Sequence, residues 1–139
     1  MKEKFWLIKT EPDVWSWQQQ VNSGSKGAEW NGVRNFQASN YLMNMKKGDK
    51  CFFYHTGRTK SIIGVVKVIK EAFLDKTDKT GKFVSVIVKA LYPLKREISL
   101  QKIKKDKYFR DFSLVKQSRL SVMSVDLKYW KKISKMGKV

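Results

Sequence analysis

Apolar and polar positions alternate along the chain in blocks that read as short strands separated by two kinds of helix. Phe5 to Lys9 (FWLIK) is a compact apolar run stopped by Pro12, the pattern of a buried strand entering a turn. Val14 to Val21 is rich in Trp and Gln without alternation and is broken by Asn22-Ser23-Gly24-Ser25, which reads as a short helix leading into a loop. Ala38, Tyr41, Leu42 and Met45 recur at i, i+3, i+4 and i+7, predicting an amphipathic helix from about Asn35 to Lys46 that stops at Lys47-Gly48-Asp49. Cys51 to His55 and Ile62 to Ile69 are aromatic and β-branched runs joined by the polar stretch Thr56 to Ser61, as in a hairpin. Gly64 within the second run signals a bulge or the close approach of another backbone.

The polar segment Asp75 to Lys82 ends in a glycine turn and leads into a strand from Phe83 to Leu91. Ser99 is placed to cap a short helix through Ile103. Arg119 to Val125 reads as a closing strand, and Asp126 as the cap of a terminal helix with Leu127, Trp130 and Ile133 on one face. The sum is an α+β fold: a mixed, mostly antiparallel sheet curled toward a barrel, with helices on its outside.

Composition narrows this picture. The 139 residues suit one domain, expected to cover 1–139, with no repeat or dividing linker. A chain that is 42% hydrophobic and 13% aromatic is not a disordered polymer. The formal net charge of +18, half of it in residues 101–139, points to a polyanionic partner, against the alternative of a merely solvated lysine surface. The run Phe5 to Ile8 is too short for a secretory core or a spanning helix, and single Cys51 suits a reducing compartment, so a soluble cytoplasmic protein that engages no membrane is expected.

The catalytic inventory is thin. One His and one Cys leave only carboxylates as further metal ligands, so neither a metal nor a cofactor is expected. On a strand Cys51 and His55 would lie about 13 Å apart, beyond hydrogen-bond reach, and an inert, buried Cys51 is the better reading. No Walker loop or GxGxxG fingerprint is present. Four of the five tryptophans fall in the first 30 positions. Trp6 and Trp130 lie inside apolar patterns and read as core. Trp30 is followed by the polar turn Asn31-Gly32, with Arg34 and Asn35 at a helix start, and reads as a pocket wall on which a base can stack.

Five ordered motifs carry a family resemblance: WLIKTEPDVWSW near the N-terminus, WNGVRNFQA at 30–38, MKKGDKCFFYHT at 45–56, IIGVVKV at 62–68 and RLSVMSV at 119–125. Together they resemble the EVE domain family, a branch of the PUA-like fold related to the YTH domain readers. The resemblance implies a PUA-like curled mixed β-barrel of about five to six strands with flanking α-helices. It also implies a pocket for a base, typically a modified one, flipped out of its strand, and binding without catalysis. The family's strand-end motif falls on Lys9, Thr10, Glu11 and Pro12. Its second motif falls on Trp30, Asn31, Gly32, Val33, Arg34 and Asn35, with Asn31 where Asp is usual and Phe36 where Tyr is usual. Its third includes Tyr54, His55 and Thr56.

The expected base pocket therefore comprises Lys9, Thr10, Glu11, Pro12, Trp30, Gly32, Val33, Asn35, Tyr54, His55 and Thr56, with Trp30 stacking and the polar groups reading the base edge. Arg34, Arg119, Lys102, Lys104 and Lys105 are the expected backbone-binding cations, although Arg119 could pair with Glu11 instead. His55 fits either a base contact or a structural role. The relation to YTH-type readers implies a methyl cage with one aromatic wall from the loop before the third strand. Here that segment, Asp75 to Lys82, holds no aromatic, so a cage would need Trp15, Trp17 or Tyr54. A pocket with one stacking wall and polar recognition, suited to a modified cytosine, fits better. The expected partner is DNA or RNA bound by a monomer. The competing reading is a small-molecule or modified-nucleoside binding protein, or an enzyme using His55 or Glu11 as proton shuttle. A third is an accessory domain that recognises RNA structure alone.

Overall fold

The computed structural model describes residues 4–139; the first three residues of the expected 1–139 domain lie outside the described residues. Six strands and five helices follow one another as β1 (Phe5–Thr10), α1 (Trp17–Asn22), β2 (Ala28–Trp30), α2 (Phe36–Asn44), β3 (Lys50–His55), β4 (Ser61–Leu74), β5 (Val84–Ser99), α3 (Leu100–Lys105), α4 (Ser113–Lys116), β6 (Val122–Val125) and α5 (Leu127–Met136). They form one six-stranded sheet in the order β2-β5-β4-β3-β1-β6. The pair β1 and β3 is parallel, and all other neighbours are antiparallel. The sheet does not close, so β2 and β6 remain its edges.

The long β4–β5 pair extends beyond the expected strands, through Leu74 on one side and Ser99 on the other. Pro93 hid this continuation in the sequence. It sits opposite Gly64, beside an interruption of the ladder between Ile62 and Gly64, where a missing N–H is tolerated. Repeated register shifts along this pair bend it, which is what curls the sheet.

Gly64 meets the expected close approach, but from a side chain. A Cβ built there would fall 2.5 Å from Cη2 of Trp17, whose indole also lies edge-on to Phe53 at 5.2 Å. Because Gly64 has no positive φ, the constraint is purely steric. Gly64→Ala is expected to lower the unfolding free energy by about 1–3 kcal/mol in urea denaturation, the range for overpacking. A midpoint equal to the parent's would show that Trp17 moves aside freely.

Asn35 and Ser99 cap α2 and α3 through their side chains, accepting from Ala38 N–H at 3.0 Å and Lys102 N–H at 3.1 Å. Asp126 occupies the N-cap position of α5 but makes no side-chain capping bond. The buried face of α5 is Tyr129, Trp130 and Ile133, while Leu127 is exposed, because α5 docks through Trp130 stacked on Phe52 at 3.9 Å and Phe5 at 4.5 Å. The closing strand is Val122–Val125, shorter than the expected 119–125, since Gln117 to Leu120 forms a turn. Strand β2 is a three-residue element, too short to show alternation, and its pairing with β5 becomes visible only in three dimensions.

Candidate functional site

Curling brings edge strand β2 toward the opposite edge of the sheet, where β1 ends and β6 begins. A cavity of about 450 Å³ lies between them, lined by Lys9, Thr10, Val14, Trp15, the segment Ala28 to Arg34, and Ser121. This size falls within the ~300–1,000 Å³ usual for small-ligand pockets.

The aromatic part of the lining is held from behind. Trp30 is only 6% exposed and packs edge-on against Phe53 at 5.6 Å, so it belongs to the core as well as to the cavity wall. Trp15 is fixed by a relay. Its Nε1 donates to Oε1 of buried Gln20 at 2.8 Å, and Gln20 Nε2 donates to the Val88 carbonyl at 3.0 Å. The Thr10 hydroxyl donates to the Trp15 carbonyl at 3.0 Å, tying the end of β1 to the same loop.

The polar wall from Gly32 to Arg34 is organised by Asp75. This buried carboxylate accepts from Gly32 N–H at 2.8 Å, Arg34 Nη1 at 3.0 Å, Thr77 N–H at 2.8 Å and the Thr77 hydroxyl at 2.6 Å. Arg34 also donates from Nη2 to Thr77 Oγ1 at 2.9 Å and lies over the Phe83 ring, 5.4 Å from its centre. Burial opposes ionisation of Asp75, but bonds from Thr77, Gly32 and Arg34 outweigh it and hold the carboxyl at about 2. Gly32 supplies the turn with a φ of 79°, which a side chain rarely adopts. The Arg34 side chain is 41% exposed although both of its Nη atoms are engaged.

Six of the expected base-pocket residues are outside the cavity lining. Glu11 is exposed, and its carbonyl accepts the Val14 and Trp15 N–H groups, each at 2.9 Å, closing the turn that contains Pro12. Asn35 is committed to capping α2 and borders a neighbouring hollow with Gln37, Lys116 and Arg119. Tyr54 is buried in the core, which pushes its hydroxyl up to about 12. His55 accepts the Trp17 N–H on Nε2 at 3.0 Å, so its proton sits on Nδ1. Burial lowers its pKa, with Glu97 opposing, which favours the neutral ring. Thr56 donates its N–H to the Thr10 carbonyl at 2.9 Å and so fixes the end of β1.

Lys9 does reach the cavity; its Nζ donates to the Ser118 carbonyl at 3.0 Å and lies over Tyr54, and desolvation lowers its pKa. Arg119 is exposed in the neighbouring hollow, and Lys102, Lys104 and Lys105 stand exposed on α3, away from the cavity. Sequence reasoning did not place Gln20, Asp75, Thr77 or Ser121 at the site. Only Trp15, beside the strand-end motif, carried a readable signal. Among the described residues no group of three or more His, Cys, Asp and Glu side chains is placed to hold a metal ion. None of the described helices is long and apolar enough to cross a membrane.

Comparison with known proteins gives this geometry its relatives. The NMR structure of Rpa0253 from Rhodopseudomonas palustris is 45% identical, with a TM-score of 0.92 over 97% of this chain and 93% of that one. The human THYN1 protein, solved in complex with 5-methylcytosine containing DNA, is 26% identical with a TM-score of 0.89, covering 99% of each chain. Thymocyte nuclear protein 1 of Gallus gallus is 38% identical over 82 residues, a match spanning 52% of this chain and 34% of that protein. The chain thus spans well under two thirds of the length of such curated relatives. The family model for the EVE domain matches residues 4–136, so the chain belongs to the EVE domain family.

Proposed function

We propose that the cavity between β2 and the end of β1 receives a single modified cytosine extruded from a DNA strand and binds it without chemistry. The observation that carries this reading is the construction of the lining. Two tryptophans, Trp15 and Trp30, supply apolar faces, while Gly32, Val33 and Arg34 form a wall held by the Asp75 network. Rigid aromatic faces beside fixed polar groups suit a flat heterocycle whose edge is read by hydrogen bonds. Asn31 and Ser121 add an amide and a hydroxyl to the lining. The methylcytosine-containing DNA bound by the human relative supports the same ligand class. The proton-shuttle roles considered for His55 and Glu11 find no support at this cavity, because neither contributes to its lining; Glu29, the carboxylate that does, lies 3.8 Å from Lys76 Nζ.

Equilibrium binding at near-physiological salt tests the proposal. Matched DNA and RNA strands, single and double, would each carry one plain or methylated cytosine or one plain or methylated adenine. The expected result is a preference of about tenfold or more for DNA with the modified cytosine, equivalent to about 1.4 kcal/mol. Equal weak binding to every strand would assign the affinity to the +18 charge alone and remove the base from the cavity.

A further inference from the structure

A second cleft, of about 420 Å³, lies between the turn joining β3 to β4 and the start of α3. Arg58 and Lys60 contribute from the turn, and Lys104 and Lys105 from the helix, with Thr59 and Gln101 adding neutral polar groups. No carboxylate lines it. The ion pairs among the described residues are Arg34–Asp75, Lys76–Glu29, Lys116–Asp111 and Lys132–Asp106, and none involves these four cations. Four like charges gathered in one concavity repel one another, and an anion seated among them removes that repulsion.

The cleft is also held in shape. The Leu100 N–H donates to the Lys60 carbonyl at 2.8 Å, fastening the start of α3 to the turn. Lys60 itself has a φ of 40°, a left-handed conformation unusual for a side-chain-bearing residue. Its place in the sheet matters further. Thr10 pairs with His55, and Thr56 N–H donates to the Thr10 carbonyl, so the turn sits at the same end of the sheet as the cavity that Thr10 lines.

We infer that this cleft is a phosphate subsite, occupied by the sugar-phosphate backbone of the nucleic acid whose base enters the cavity. Its preference for phosphate stands on the four cations alone, whereas the choice of backbone as occupant rests on the base-binding reading. Arg58 offers a planar fork suited to two phosphate oxygens, and the lysines act as point charges around it.

A charge-matched comparison tests the inference. One variant carries Arg58→Gln, Lys60→Gln, Lys104→Gln and Lys105→Gln. The other carries Lys95→Gln, Lys128→Gln, Lys131→Gln and Lys135→Gln, all exposed and outside the cleft. Circular dichroism checks that both fold. For the cleft variant the slope of log K against log salt should shrink by about 3, since each of four lost phosphate contacts removes about 0.7–0.9. The other variant should keep a slope within about 1 of the parent's. Equal losses in both variants, or none in either, would overturn the assignment.

A second arm identifies the source of the phosphate. Replacing single DNA linkages by neutral methylphosphonates should weaken the parent at particular linkages and leave the cleft variant indifferent there. If inorganic diphosphate saturates the cleft without displacing DNA, the backbone occupant is wrong. The two readings also fail separately. A cleft-dependent slope without modified-base preference would sink the base pocket and spare the subsite, and the reverse pattern would sink the subsite alone.

Discussion

Replacing Asp75 by Ala is expected to lower the unfolding free energy by about 3 kcal/mol and to loosen the wall of the cavity. The figure follows from what the carboxylate does. It accepts four hydrogen bonds from Gly32, Arg34 and Thr77, and its side chain is fully buried. Removing one partner of a buried ion pair costs about 3–5 kcal/mol when the other charge is stranded. Arg34 is 41% exposed and regains water, which puts the loss at the lower end of that range. Asn in place of Asp keeps the acceptor geometry without the charge and should cost roughly half as much.

The pH dependence has a definite sign. Asp75 is held at about 2, below the usual carboxylate value, so its contribution is complete above the unfolded-state pKa of roughly 4 and is lost as pH falls toward 2. Asp78 is also held low, chiefly by the Thr80 hydroxyl, so both carboxylates act on the acid limb. The Asp75 share is therefore read as the difference between parent and variant. Urea denaturation at pH 7 and at intervals down to pH 2 should show the two stabilities converging as the solution is acidified. A constant gap across that range would mean that the carboxylate charge contributes nothing.

The same network shows why the site was only partly legible in the sequence. Trp30, Gly32, Val33 and Arg34 lie in one contiguous motif that follows a short edge strand, and all four line the cavity. Lys9 and Thr10 join them from the end of β1. Tyr54, His55 and Thr56 form an equally contiguous motif, yet they turn to other tasks. Tyr54 lies in a strand buried on both faces, the N-terminus of α1 engages His55, and Thr56 locks the end of β1. Their proximity to the site is real, because Thr10 pairs with His55, but pairing places backbones and leaves the direction of a side chain undetermined.

Helix caps act on residues only three positions away, and Ser99 reads as one in the sequence. Asn35, expected at the base edge, caps α2 instead, while Asp126 holds the expected N-cap position without a side-chain bond. Contacts between distant parts of the chain left no such trace. Gln20 to Val88 and Asp75 to Gly32 join segments whose sequences are simply polar, and nothing local distinguishes Asp75 from the acids around it. The segment Asp75 to Lys82, read as a polar stretch ending in a glycine turn, holds one wall of the cavity through its first residue and returns on itself through Asp78.

Trp30 carries the largest expected functional effect, and its burial decides how the effect must be measured. At 6% exposure and edge-on to Phe53, the indole supports the core, so Trp30→Ala should cost about 3–5 kcal/mol of stability, the range for emptying a large aromatic site. A loss of binding by that variant would therefore mix unfolding with recognition. Trp30→Phe separates them, because it keeps an aromatic ring against Phe53 while shrinking the face offered to the cavity.

Stacking of a base on an aromatic face contributes about 1–3 kcal/mol, so affinity for the modified strand should fall severalfold in the Phe variant and by about tenfold or more in folded Ala protein, which should also lose most of the preference for modified over plain cytosine. The salt slope should stay near the parent's in both, since the cations of the second cleft, the proposed phosphate subsite, are untouched. Temperatures well below the melting point of each variant, with folding checked by near-ultraviolet circular dichroism, keep the comparison clean. If the folded Ala variant discriminates as well as the parent, the stacking face is not Trp30. Trp15, held by Gln20 on the same cavity, would then be the only tryptophan left in the lining to provide it.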